Sequence, residues 1–134
     1  MSHSANQQTE GGVFSHTSGP WFDSQECPGV RYQVARVSVA RRIELARKIR
    51  DIGRKIEFLE AGKDPREKIE AAVLEAEVEQ AYLEWGLLEL EGLSIDGEAA
   101  TPQLLIQRGP LTLTNEILGR IKAECGLNEQ ERKN

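Results

Sequence analysis

The side chains in this 134-residue sequence that could carry chemistry are carboxylates at helical spacing and a few scattered histidines and cysteines. Glu70, Glu77 and Glu84 recur every seventh residue, so one face of a helix would present a row of carboxylates, as in metal-binding carboxylate bundles. Such bundles also need inward-facing Glu-x-x-His motifs, but the two histidines, His3 and His16, both lie near the N-terminus. We therefore interpret the row as a solvated acidic face and predict no metal and no cofactor.

Motifs for the common enzyme mechanisms are absent from the sequence. Cys27 and Cys125 stand apart, with no histidine or further cysteine at metal-site spacing, and there is no Gly-rich phosphate loop or nucleophile elbow. Asp96 and Glu98 could form a general acid–base pair, but a turn residue beside a solvent-facing neighbour is the simpler interpretation. We expect no catalytic residue and predict that the chain is not an enzyme. The cysteines are expected to be free thiols in a reducing compartment, with a single disulfide as the alternative.

Composition limits the chain to one modest domain. At 134 residues and 39% hydrophobic, it has material for one core and is too short for two independent domains. The net charge of -5 and the pI near 5.2 disfavour general binding to nucleic acids or anionic membranes. No apolar run approaches the roughly 18 residues that a membrane span needs, and no secretion signal is evident. We predict a soluble, non-exported protein that does not bind membranes.

Two neighbouring segments with helical periodicity and opposite charge must position these side chains. Val39 to Ala61 carries seven basic and four acidic side chains, whereas Pro65 to Glu91 carries two basic and eight acidic ones. The breaker Gly62-Lys63-Asp64 separates the segments, and Ser38 precedes the first of them as a candidate N-cap. This pattern predicts an antiparallel helical hairpin whose charged faces point to water or to a partner.

The expected buried faces of the two helices are defined by apolar residues three and four positions apart. In the first helix these residues are Val39, Ile43, Ala46, Ile49, Ile52, Ile56 and Leu59. In the second helix two adjoining rows are expected, Ile69, Val73, Ala76, Leu83, Leu87 and Leu90 beside Leu74, Val78, Ala81, Trp85 and Leu88. A face this wide is expected to contact more than one neighbour.

Shorter elements flank the predicted hairpin. Val30 to Val37 alternates in polarity and predicts a strand, and Leu93 to Glu98 predicts a strand or hairpin arm that we expect to pair with it. A cap followed by proline predicts a short helix from Thr101 through Gln107. A last helix is predicted over Leu111 to Cys125, ended by Gly126. Its expected inward residues are Leu113, Ile117, Leu118 and Ile121.

The predicted fold class is mainly α with a small β element, an antiparallel helical hairpin plus C-terminal helices and a short two-stranded ribbon. Residues 30–127 are expected to form this single domain, and residues 128–134 a frayed charged segment. Residues 1–29 are polar and rich in breakers, which predicts a flexible tail. Within this tail we expect Trp21 and Phe22 to dock on the folded body, with a contact to another protein as the alternative.

Several short pieces carry a family resemblance. They are Glu57 to Gly62, the step Trp85-Gly86, the block Gly92 to Pro102, and the ending Gly126 to Asn134. Together they resemble small proteins of tailed bacteriophages and prophages identified as tail assembly chaperones, over roughly Val30 to Asn134. Members of this family are typically encoded just before the tape measure protein, bind it while it is long and aggregation-prone, and are absent from the finished virion.

The resemblance implies a non-enzymatic tail assembly chaperone in the cytoplasm of the bacterial host, with the tape measure protein or another tail protein as its partner. We expect the contact residues to be Arg47, Arg50 and Arg54 of the basic helix, together with Trp21 and Phe22. One alternative is a structural tail or head-completion component of the virion. The other is a small nucleic-acid-binding regulator, although the acidic helix would repel a polyanion. Homo-oligomers stay open as a further kind of partner.

Overall fold

The computed structural model describes residues 19–126, and the predicted mainly α architecture with a small β element is confirmed. In chain order the elements are β1 (Trp21–Asp23), β2 (Arg31–Val34), α1 (Val39–Glu60), α2 (Pro65–Gly86), β3 (Leu87–Glu91), β4 (Ser94–Ile95), β5 (Glu98–Ala99), α3 (Pro102–Arg108) and α4 (Leu111–Cys125). The two histidines, most of the predicted tail and the predicted frayed segment 128–134 lie outside the described residues.

Helices α1 and α2 form the predicted antiparallel hairpin. The Arg41 guanidinium stacks on Trp85 at one end of the pair, and Lys68 Nζ donates to the Glu60 carbonyl at the other end. Both helices begin at the predicted caps, since Ser38 and Asp64 accept hydrogen bonds from the first free backbone amides. The buried side chains on the facing sides are Leu45, Ile49, Ile56, Ala71, Val78 and Ala81.

The predicted apolar faces of this hairpin were partly wrong. Val39 is 78% exposed and Ile43 46% exposed on α1, and Ile69 is 66% exposed on α2. By contrast Leu45, which the predicted face omits, is only 3% exposed. The reason is geometric, because α1 packs mainly against α2 along one narrow seam and side chains turned away from the seam stay at the surface.

Helix α2 ends at Gly86 and not at Glu91 as predicted, because residues 87–91 form strand β3. The leucines of this segment fit a helical period in the sequence, but in the structure β3 pairs antiparallel with β2. The amide of Ala35 also donates to the Gly86 carbonyl at 2.8 Å. Strand β2 needs partners for its backbone groups, and β3 supplies them, so sheet pairing overrides helical periodicity here.

The main sheet is antiparallel with the strand order β1-β2-β3. The strand predicted within Val30 to Val37 is present as β2, and Tyr32, Val34 and the preceding Val30 on one side of its alternation are buried. The predicted pairing of β2 with residues 93–98 was wrong, because β4 pairs with β5 in a separate two-stranded hairpin. Its turn is Asp96-Gly97, where both residues have positive φ, as a two-residue hairpin loop requires.

Strand β1 lies inside the segment predicted as a flexible tail, so the predicted boundary was wrong for residues 19–29. Residues 21–23 pair antiparallel with β2. The ring of Phe22 packs 5.8 Å from the Tyr32 ring, and the Arg120 guanidinium lies 4.2 Å from its centroid. The predicted docking of Trp21 and Phe22 on the folded body is therefore confirmed. The two residues dock as part of a three-residue strand, which is too short to be predicted from the sequence.

Helices α3 and α4 agree with the sequence prediction. Thr101 caps α3 by accepting a hydrogen bond from the Leu104 amide at 3.1 Å, and α3 runs one residue beyond the predicted end. Gly126 ends α4 with a φ of 71°, a left-handed conformation that glycine adopts readily. All the predicted inward residues of α4 are buried, namely Leu113, Ile117, Leu118 and Ile121.

A single carboxylate fastens the loop after β1 to α4. Glu116 accepts hydrogen bonds from Ser24 Oγ at 2.8 Å, from the backbone amides of Gln25 at 3.2 Å and Glu26 at 3.1 Å, and from the Tyr32 hydroxyl at 2.9 Å. Partial burial raises the pKa of Glu116, but the hydrogen bonds outweigh burial and hold the pKa below its ordinary value. The ionised form of Glu116 therefore stabilises the folded state.

We expect Gly86→Ala to lower the free energy of unfolding by about 1 to 2 kcal/mol. A Cβ at this position would lie 2.6 Å from Ile121 Cγ2, and such overpacking costs more than the roughly 1 kcal/mol that alanine gains over glycine in a helix. The matched control is Gly119→Ala in α4, where a Cβ meets nothing within 4 Å and should stabilise the protein. Urea unfolding of both variants checks this, and equal effects would contradict the role of Gly86.

We expect Glu116→Gln to destabilise the protein in a pH-dependent way. Because the folded-state pKa is lowered, the contribution of the carboxylate is complete above its ordinary pKa of 4.5 and is lost as the pH falls through the folded-state value. The difference in unfolding free energy between parent and variant should be about 1 kcal/mol at pH 7 and should shrink towards pH 3. The exposed Glu124 of the same helix supplies the control, Glu124→Gln, and a difference independent of pH would refute the assignment.

Candidate functional surfaces of the helical hairpin

At its closed end the hairpin extends beyond the other elements of residues 19–126. Ile69, Val73, Ala76 and Leu83 lie along one side of α2, because their spacing follows the helical repeat. Leu83 is buried in the part of α2 against which α3 and α4 pack. Ile69, Val73 and Ala76, which lie earlier in the helix, are exposed. The sheet and the C-terminal helices therefore cover only the last part of α2 and leave its first turns, with the last turns of α1, to project.

One row of side chains on α1 faces away from α2 and is called here the basic stripe. It consists of Ile43, Arg47, Arg50, Arg54 and Phe58, and all five are exposed, Phe58 by 76%. Within residues 19–126 none of the three arginines forms an ion pair or a side-chain hydrogen bond. The structure thus places the three predicted contact arginines together and adds two apolar side chains, one of which was predicted to be buried.

A second row, on the outer side of α2, is called the acidic stripe. It consists of Ile69, Val73 and Ala76 with the flanking Glu70 and Glu77, all of them exposed. The glutamate row interpreted from the sequence as a solvated acidic face does lie at the surface. The two stripes have the same construction, a few apolar side chains among charges of one sign, but the sign differs.

Trp21 and Phe22, the other two predicted contact residues, belong to a different part of the molecule. Both lie on β1 at the edge of the sheet, where the Arg31 guanidinium lies 5.1 Å from the centroid of the Trp21 ring. Arg120 of α4 covers Phe22 in the same way. The structure therefore does not unite these aromatic residues with the arginines of α1 in one surface.

A groove of about 290 Å³ lies between α1 and α2 near the open end of the hairpin. Its walls include Arg41, Glu44 and Lys48 of α1 and Glu84 and Trp85 of α2. The indole Nε1 of Trp85 and the Nε of Arg41 are buried there without an acceptor among the described residues. Two unpaired donors suit a bound carbonyl or carboxylate oxygen better than a bound cation.

The thiols and the Asp96 carboxylate have structural surroundings of their own. Burial raises the pKa of the Cys125 thiol to about 11, although Arg42 opposes this, and both cysteines are free thiols as predicted. The Asp96 carboxylate pairs with Arg108 at 3.1 Å and so fastens the β4–β5 turn to α3. Among residues 19–126 no three metal-binding side chains form a cluster. Over the same residues, no helix has both the length and the apolar character to cross a bilayer.

We expect Trp85→Ala to lower the free energy of unfolding by about 2 kcal/mol, less than the roughly 3 to 5 kcal/mol for a fully buried aromatic residue, because the indole is partly exposed. The control is Phe58→Ala on the same hairpin, which should change stability by less than about 0.5 kcal/mol because the ring is at the surface. Urea unfolding measures both, and a large loss with Phe58→Ala would show that this ring is packed.

Comparisons with protein-family models, with curated proteins and with solved structures found no match to this chain. A function must therefore be inferred from the surfaces of the hairpin and from the short sequence resemblance.

Proposed function

We propose that the chain is a non-enzymatic phage tail assembly chaperone that binds the tape measure protein in the cytoplasm of the bacterial host. The observation that carries the proposal is the hairpin surface, on which Ile43, Phe58, Ile69 and Val73 are exposed beside charged side chains. Ile69 and Val73 adjoin on α2, four residues apart, and exposed apolar side chains rimmed by polar ones mark protein interaction sites. The function that the sequence resemblance implies requires such a surface.

The stripes suit a helical segment of the client. A helix laid along α1 would bury Ile43 and Phe58, which stand at the two ends of the basic stripe, and would place acidic side chains against the arginines between them. The apolar contacts would supply most of the affinity, since an exposed ion pair contributes only about 0 to 1 kcal/mol. The charges would set the orientation of the client and the rate of encounter.

The nucleic-acid alternative has less support from the same surface. The basic stripe contains only three arginines, and the exposed Asp51 and Glu57 flank it on α1. The acidic side chains of α2 add further repulsion against a phosphate backbone. A structural role in the virion uses the same kind of contact as a chaperone, so only the composition of the particle separates those two functions.

We expect the double variant Arg47→Glu/Arg50→Glu to bind the tape measure protein of the same phage at least about tenfold more weakly, or about 1.4 kcal/mol. Its melting temperature should stay close to that of the parent, because both side chains point away from the seam. Co-expression with the tape measure protein, followed by co-purification and titration, measures the binding.

The matched control is Lys55→Glu/Lys63→Glu, which changes the net charge equally at exposed positions outside the basic stripe and the groove and should keep the affinity within about threefold. Equal losses in both variants would indicate a net-charge effect and contradict a contact at the basic stripe.

Mass spectrometry of purified virions tests the class of function. Stoichiometric amounts of this chain in the particle would reject the chaperone and leave a structural component.

A further inference from the structure

We propose that the basic stripe of one copy of the chain binds the acidic stripe of another, so that the hairpins associate head to tail. This proposal concerns the purified chain alone and does not depend on the identity of any client. Its basis is the opposite charge of two apolar-containing surfaces on the same rigid hairpin.

The two stripes match in spacing as well as in sign. Arg47 and Arg54 are seven residues apart, and so are Glu70 and Glu77. Seven residues correspond to about 10 Å along a helix axis, so each glutamate could meet one arginine when two such helices lie side by side. The apolar side chains of the stripes, Phe58 and Ile43 on one and Ile69 and Val73 on the other, would be covered in the same contact.

The positions of the stripes determine the symmetry of the contact. Each stripe faces away from the seam between α1 and α2, so the two lie on opposite sides of the hairpin. A two-fold contact of one basic stripe with another would bring arginines against arginines and be repulsive. A contact between unlike stripes is attractive and leaves one unlike stripe free on each end, so it repeats into a ring or an open chain.

The contact is expected to be weak and sensitive to salt. Two helix faces bury less than the roughly 1,600 Å² of a standard protein interface, so we expect dissociation constants of micromolar order or weaker. Exposed charge pairs are screened over about 10 Å at 0.1 M salt, so association should be strongest at low ionic strength. Sedimentation velocity of the parent chain over a concentration series at low and at high salt would measure this.

A charge-swap experiment tests the proposal. One variant reverses the basic stripe, Arg47→Glu/Arg54→Glu, and the other reverses the acidic stripe, Glu70→Lys/Glu77→Lys. Each variant alone should stay monomeric at concentrations where the parent associates, because both of its stripes then carry the same sign. An equimolar mixture should associate again, since each reversed stripe finds its reversed counterpart and each unaltered stripe its unaltered one.

The control variant Lys55→Glu/Lys63→Glu, which alters exposed lysines outside both stripes, should associate like the parent, and circular dichroism melting curves should show that all variants are folded. A parent chain that is monomeric at about 1 mM and low salt would overturn the proposal. Variants that still associate alone, or a mixture that does not recover, would overturn it as well. A second variant with uncharged changes, Phe58→Ser/Ile69→Ser, should also abolish association, so the conclusion does not depend on charge reversal alone.

Discussion

The close approach of α2 to α4 at Gly86 is the constraint on which the rest of the structure depends. Only a residue without a Cβ allows the backbone of α2 to lie against Ile121. At the same residue the helix ends, and the chain enters β3 without a connecting loop. The Gly86 carbonyl accepts the Ala35 amide, which lies between β2 and α1. The hairpin, the sheet and the C-terminal helices are thus joined at one point.

This junction explains why the hairpin has free faces. Helices α3 and α4 pack against α2 where Leu83 is buried, whereas Ile69, Val73 and Ala76 in its earlier turns are exposed within residues 19–126. The seam between α1 and α2 buries one narrow row on each helix, and the opposite rows carry both the charges and the leftover apolar side chains. The chain has a hairpin with about two turns of α2 exposed on their outer side.

The sequence was informative where a local interaction decides the structure. Three helix starts follow from the capping side chains of Ser38, Asp64 and Thr101, which bind the backbone amides beside them. The end of α4 follows from the left-handed Gly126. In each case the residue type alone was sufficient to predict the helix boundary. The end of α2 was not predictable in this way, because the leucines of 87–90 fit both a helix and a strand. Only the distant partner β2 decides between them, and pairing across the chain leaves no local signal.

The same distinction applies to the candidate site. Charge at helical spacing was enough to identify Arg47, Arg50 and Arg54 as one exposed face, because a solvated face needs no partner. The exposure of Ile43 depends on where α2 stops covering α1, which periodicity does not encode, so this residue was expected inside.

If both proposals hold, client and second copy compete for the same stripes. At a total chain concentration tenfold above the self-dissociation constant, about a quarter of the stripes stay free, because the chain is its own competitor. Apparent client affinity would then fall about fourfold, so self-association would set a threshold that the client must exceed.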